Sequence, residues 1–129
     1  MIVGIGTDVS DINRFARAIS RRGDRLLHRV FTPDEISYCM TARHPAAHFA
    51  ARFAAKEAVF KALGTGWGQG VRWTEVEVER GKRGQPTIRL SGAARKRAES
   101  LGTGRVWLSL STEKEQALAF AILESIPKS

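Results

Sequence analysis

A chain of 129 residues, 43% of them hydrophobic, is the size of one ordinary domain and can bury a core of its own, so a single domain over residues 1–129 is expected. Its 21 Lys and Arg against 13 Asp and Glu give a net charge of +8, which favours an acidic partner such as nucleic acid, a phosphorylated small molecule or an acidic protein. One cysteine, Cys39, excludes an internal disulfide framework, three scattered histidines give no zinc spacing, and no run approaches the roughly 20 apolar residues of a membrane span, so a cytoplasmic protein is expected.

Residues 2–9 read as a short strand, a β-branched run that ends in a polar cluster containing Asp8. Ser10 or Asp11 then caps a helix in which Ile12, Phe15, Ala16 and Ile19 recur at helical spacing up to a break near Gly23. Arg14, Arg17 and Arg21 lie on the opposite face, and Arg22, Arg25 and Arg29 carry the positive charge past the break. Six arginines against one acid, Asp24, is more than solubility needs. FTPDE at residues 31–35 starts another helix, with Thr32 as N-cap, Pro33 in the first turn and Glu35 completing a capping box. After a break at His44 and Pro45, a long helix runs to Leu63 and stops at Gly64.

The second half changes period. Residues 73–80 alternate, with Trp73, Glu75, Glu77 and Glu79 on one face and Val76 and Val78 on the other, as in a half-exposed strand. Residues 87–90 follow the Gly-rich turn GKRGQP and complete a hairpin. Residues 91–101 read as a capped amphipathic helix stopped by Gly102. Residues 106–111 and 116–124 make two more strands joined by a turn at 112–115, and ALAFAIL, apolar on both faces, belongs in the centre of a sheet. Helices early and antiparallel strands late indicate an α+β domain.

Within the long helix, RFAAKEAVFKALGTG carries two charges at the edge of its apolar stripe. Phe49, Phe53 and Phe60 share a face, Glu57 falls between Phe53 and Ala50, and Lys61 lies one turn further on. A carboxylate there must pair, bind a cation or stay protonated, because an unpaired buried carboxylate costs several kcal/mol. The plain alternative is an intrahelical salt bridge to Lys61, worth about 0.2–0.5 kcal/mol when exposed. Asp8, at the end of a strand beside GIG, can approach this helix, and two carboxylates without a nearby His or Cys suit Mg²⁺. Oxygen ligands, a lysine and abundant glycine together point to phosphate chemistry.

Neither glycine stretch is a nucleotide motif: GIG lacks the third glycine of a dinucleotide fingerprint, and LGTGWGQG lacks the Lys-Ser/Thr ending of a P-loop. Nucleic acid is not expected as a partner, because Trp67, Trp73, Trp107, Tyr38 and the six Phe stand mostly at core-like positions and leave no exposed stacking platform.

GIGTDVSDINRF, FTPDE, RFAAKEAVFKALGTG and VWLSLS, in this order and spacing, resemble the holo-acyl-carrier-protein synthases, the small 4′-phosphopantetheinyl transferases, over essentially the whole chain. The resemblance implies an antiparallel sheet with helices packed on it, and a homotrimer whose active sites are shared between neighbouring subunits. It implies that Asp8 and Glu57 hold Mg²⁺ against the pyrophosphate of coenzyme A, with Lys61 near the transferring phosphoryl group. Arg52 and the turn Gly84-Gln85-Pro86, the latter from a neighbouring subunit, would bind the adenosine phosphate end. The implied reaction moves phosphopantetheine from coenzyme A to a serine of apo acyl carrier protein, releasing adenosine 3′,5′-bisphosphate, for fatty acid biosynthesis. Glu57 and a metal-bound water are the candidate bases. Arg14, Arg21 and Arg25 would dock the acidic carrier protein. One position departs from the pattern: the family commonly has a histidine after SLS, where this chain has Thr112 followed by Glu113. Thr112 can still donate a hydrogen bond to phosphate. The departure leaves a non-catalytic or weakly active protein that binds acyl carrier protein or coenzyme A as the alternative.

Overall fold

A computed structural model describes residues 1–66 and 69–127, so Trp67 and Gly68 of the LGTGWGQG stretch lie outside the described residues. The chain opens with β1 (Ile2–Asp11), which runs past the β-branched run that announces it. Asp11 rather than Ser10 caps α1 (Ile12–Arg22), its side chain accepting from the Arg14 amide at 2.9 Å. Gly23, at φ +57°, turns the chain directly into α2 (Asp24–Val30), a helix not anticipated from the sequence. Its Leu26, Leu27 and Val30 are all buried, so the apolar spacing was there but too short to stand out.

α3 (Pro33–Met40) has the expected capping box between Thr32 and Glu35, and α4 (Pro45–Leu63) ends on Gly64 in the left-handed conformation. Trp73–Glu75 then form a 3-10 turn, and β2 (Val76–Arg80) pairs with β3 (Pro86–Leu90) as a hairpin. The strand is shorter than its alternation suggested. Trp73 instead packs on Phe53 and Phe60, and the Glu75 carboxylate accepts from the Ala93 amide, taking over the capping of α5 (Gly92–Ser100) that Ser91 was expected to provide. β4 (Thr103–Glu113) and β5 (Gln116–Ser125) follow. The turn between them is tighter than expected: Thr112 and Glu113 are still paired with Ala117 and Gln116, and Lys114, at φ +50°, makes the reversal with Glu115.

The main sheet has the order β1-β5-β4, antiparallel throughout, so β5 is central as its apolar run predicts. Only one of its faces lies in the core. Ala117, Ala119, Ala121 and Leu123 are buried under α4, whereas Leu118 and Phe120 on the other face are exposed. Register places Ile5 and Trp107 on either side of Ile122, and Val9 beside Leu118, so the outer face is an apolar patch. Trp107 is therefore 49% exposed rather than at a core position.

α4 lies close against β1 because two glycines allow it. A Cβ on Gly6 would stand 1.8 Å from the Ala58 carbonyl oxygen, and one on Gly4 would stand 2.2 Å from that of Ala62. GIG is thus a packing device that lets helix and strand backbones touch. On the other side of α4, Leu26, Leu27, Val30, Phe31, Cys39 and Phe49 form a second apolar cluster. Burial there pushes the Cys39 thiol up to about 11, as befits a small buried side chain rather than a nucleophile.

Gly6→Ala should destabilise the fold by about 1–3 kcal/mol or more, since no rotamer relieves a Cβ against backbone. Gly102→Ala meets nothing within 4 Å and carries only the backbone strain of φ +79°, so it should cost less. Chemical denaturation of both variants checks the order.

Candidate active site

Along β1, alternate residues face α4: Gly4, Gly6, Asp8 and Ser10. α4 runs antiparallel to this row, Ala62 meeting Gly4 and Ala58 meeting Gly6, so the next residue outward, Asp8, arrives beside the flank of α4 that carries Glu57 and Lys61. The Lys61 ammonium bonds Asp8 Oδ1 at 2.9 Å and the Thr7 carbonyl at 3.0 Å. It forms no ion pair with Glu57, so the intrahelical salt bridge is not the reason for this pair of charges. Burial and the nearby Asp8 carboxylate hold the Glu57 carboxyl above its ordinary value, and Lys61 offsets this only in part.

Two carboxylates and one ammonium therefore meet at a half-open edge of the α4–β1 contact. Their oxygen-only donor set, free of His and Cys, suits a hard cation, which would take its remaining ligands from water and phosphate. No group of three or more His, Cys, Asp and Glu placed to hold a metal ion occurs among the described residues.

Thr112 is exposed and stands on the same sheet face as Asp8, being paired with Ala117, whose other neighbour is Ser10. Two strand spacings separate it from β1 by about 10 Å, beyond the hydrogen-bond reach of its short side chain. Arg52 lies elsewhere. Five residues before Glu57, it projects about 140° round the helix, where it is buried with its guanidinium 4.4 Å from the centre of the Tyr38 ring. Arg80 lies against the same ring, bonds the Tyr38 hydroxyl and donates to the Gly84 carbonyl at 3.2 Å. Arg52 and the turn Gly84-Gln85-Pro86 are thus joined in one place, through Tyr38 and Arg80. Burial, together with Arg52, Arg80 and His44, pushes the nearby His48 imidazole below its usual value. Nothing in the sequence links residues 38, 48, 52 and 80, and sequence reasoning missed all but Arg52.

Arg14, Arg21 and Arg25 are exposed. Arg21 and Arg25 line a shallow depression with His28, and Arg14 borders an adjoining groove of about 660 Å³ floored by Phe15, Phe53 and Trp73. The two share Arg22, so the positive surface is continuous from α1 to α2.

The profile of the 4′-phosphopantetheinyl transferase superfamily matches residues 4–126. The holo-[acyl-carrier-protein] synthase of Methylobacterium radiotolerans is 49% identical, over 100% of this chain and 98% of that protein. The crystal structure of the holo-[acyl-carrier-protein] synthase from Neisseria meningitidis is similar at 37% identity and a TM-score of 0.88, covering 97% of this chain and 100% of that one. A Bacillus anthracis holo-(acyl-carrier-protein) synthase, solved in complex with CoA (3′,5′-ADP), is 34% identical with a TM-score of 0.81, over 98% and 99% of the two chains. No helix among the described residues is long and apolar enough to cross a membrane. Matched over essentially its whole length by the superfamily, by these relatives and by these folds, this chain belongs to the holo-[acyl-carrier-protein] synthase family of 4′-phosphopantetheinyl transferases.

Proposed function

We propose that this chain transfers the 4′-phosphopantetheine group of coenzyme A to a serine hydroxyl of apo acyl carrier protein, yielding holo acyl carrier protein and adenosine 3′,5′-bisphosphate for fatty acid biosynthesis in the cytoplasm. The observation that carries the reading is the convergence of Asp8, Glu57 and Lys61 in a chain of this family. Phosphoryl transfer asks a protein mainly for positioning and for neutralisation of charge. Asp8 and Glu57 would hold Mg²⁺, since two like charges near each other favour a cation between them and both are oxygen donors. When bound, the ion neutralises pyrophosphate charge. Lys61, 55% exposed and bonded here to Asp8 and the Thr7 carbonyl, would turn its ammonium toward phosphoryl oxygens once a cation replaced it at Asp8. Glu57 is the group of this chain that would take the proton of the serine hydroxyl.

Arg52 suits the adenosine phosphate end, because its buried Nε has no partner among the described residues and a phosphate oxygen would supply one. It lies on a different face of α4 from Glu57, as does the linked turn Gly84-Gln85-Pro86. One coenzyme A is served by both places when neighbouring copies share it. The exposed apolar patch of Ile5, Val9, Trp107, Leu118 and Phe120 supports such an assembly, a homotrimer with its sheets turned inward. Residues 1–129 then act as one domain. Arg14, Arg21 and Arg25 present the charge that an acidic carrier protein would meet.

Incubation with coenzyme A, Mg²⁺ and apo acyl carrier protein should raise the carrier's intact mass by one phosphopantetheine, and chelation of Mg²⁺ should abolish the gain. Failure across several carriers, with coenzyme A still bound, would overturn turnover and favour the binding-only alternative that Thr112 raises. Arg14→Glu should raise the KM for carrier severalfold more than that for coenzyme A, as steady-state kinetics on both substrates will read. Thr112→His should increase kcat severalfold if the missing histidine is costly; an unchanged kcat means that another group already does its work.

Glu57→Gln should lower turnover by about 10²-fold or more. Its effect on stability has the opposite sign. A carboxyl whose folded pKa lies above its unfolded one contributes stability below the unfolded value, and that contribution is lost as pH rises through the folded value. At neutral pH without Mg²⁺ the variant should therefore melt no lower than the parent, which a thermal scan will show.

A further inference from the structure

Lys56 and Glu35, which the proposed chemistry does not use, form an ion pair of 2.7 Å with both side chains 0% exposed. The three ammonium donors of Lys56 are fully used: they bond Glu35 Oε1, the Val76 carbonyl at 2.6 Å and the Trp73 carbonyl at 3.1 Å. Glu35 is equally occupied, its Oε1 accepting from the Thr32 amide at 2.9 Å and its Oε2 from the Val78 amide at 2.9 Å. One buried pair thus joins the start of α3, the middle of α4, the 3-10 turn and β2. A buried pair adds little net stability over an apolar replacement of the same shape, so its use here calls for a reason other than stability.

Glu57 supplies the reason. Its carboxylate makes no hydrogen bond or ion pair among the described residues, so nothing at its tip aims it. Its direction is inherited from the backbone of α4. That helix begins without a side-chain cap at His44, and much of its core contact is made by alanine and phenylalanine, whose apolar contacts are less directional than hydrogen bonds. Two features fix it more specifically. Ala58 and Ala62 meet Gly6 and Gly4 on one flank, and Lys56, the residue immediately before Glu57, is held by directional bonds on another. Adjacent helical residues point about 100° apart, so holding Lys56 holds Glu57.

We propose that Lys56 and Glu35 are positioning residues for the transfer: their buried pair locks the rotation and register of α4 and so keeps the Glu57 carboxylate beside Asp8. The proposal rests on the transferase reading of that site, and it adds two residues that act through the helix without touching substrate.

The test replaces both charges together, because Lys56→Met alone would strand a buried carboxylate. Glu35→Gln/Lys56→Met should still melt cooperatively, yet its kcat should fall about tenfold or more with the KM for coenzyme A within about twofold, as expected when support behind a ligand is lost. Mn²⁺ binding in the presence of coenzyme A, followed by electron paramagnetic resonance, should weaken by a similar factor; this readout does not depend on turnover. Leu101→Ala, which truncates a half-buried side chain packed on the core at the end of α5, should lower stability and leave both quantities unchanged. Parental kcat and Mn²⁺ affinity in the folded double variant would overturn the proposal, and so would an equal loss of kcat in Leu101→Ala. Should the double variant fail to fold, Glu35→Asp keeps both charges and shortens the reach by one methylene. The same split at smaller size then supports the lock, and parental behaviour overturns it. An inactive parent that still binds Mn²⁺ and coenzyme A would sink the transferase reading alone, leaving the Mn²⁺ arm to judge the pair.

Discussion

The backbone of α4 touches the backbone of β1, and the rest of the structure is arranged around that contact. It exists because Gly4 and Gly6 carry no side chain where the carbonyls of Ala62 and Ala58 arrive. The buried face of β5 is alanine at three successive inward positions, so the helix can settle on both strands at once. A helix so close to a strand leaves no room for anything between them except at the edge of the contact. The edge is where Asp8 and Glu57 stand.

This closeness also sets the electrostatics. Two carboxylates brought together by packing raise the proton affinity of one of them, and a single exposed lysine offsets the repulsion only in part. Such a cluster is unfavourable unless further positive charge compensates it. The buried Lys56–Glu35 pair has the opposite character. It is fully bonded and hidden from solvent, and its bonds are directional where the surrounding apolar contacts are not. The electrostatic strain at the edge is held in place by an interaction that is itself fully satisfied.

Two clusters of charge stand on different faces of α4. Arg52, Tyr38, Arg80 and the turn at Gly84 form a cationic and aromatic cluster on a different face of α4 from the carboxylates. The sheet meanwhile leaves large apolar side chains on its outer face. The proposed association of copies through that face would cover these side chains and let the cationic cluster of one copy serve the carboxylates of another.

The sequence by itself determined the local events, because each depends on residues close together in the chain. Thr32, Pro33 and Glu35 start α3, Gly64 stops α4, Asp11 or Ser10 caps α1, and the unbroken apolar run ALAFAIL marks a central strand. It also singled out Glu57 and Lys61, since charges at the edge of an apolar stripe are conspicuous in any helix, and Asp8, a carboxylate at the end of a short strand. Tertiary structure decided which partner each charge takes. Lys61 bonds Asp8, fifty-three positions away, in place of Glu57 one turn away. Glu35, legible only as a capping residue, turned out also to receive the buried Lys56. Trp73 left the strand pattern to fill a gap between Phe53 and Phe60, and Trp107 faced outward. Periodicity reports which face of an element a residue occupies, but what lies against that face is set by packing between distant segments, and no spacing within one segment encodes it.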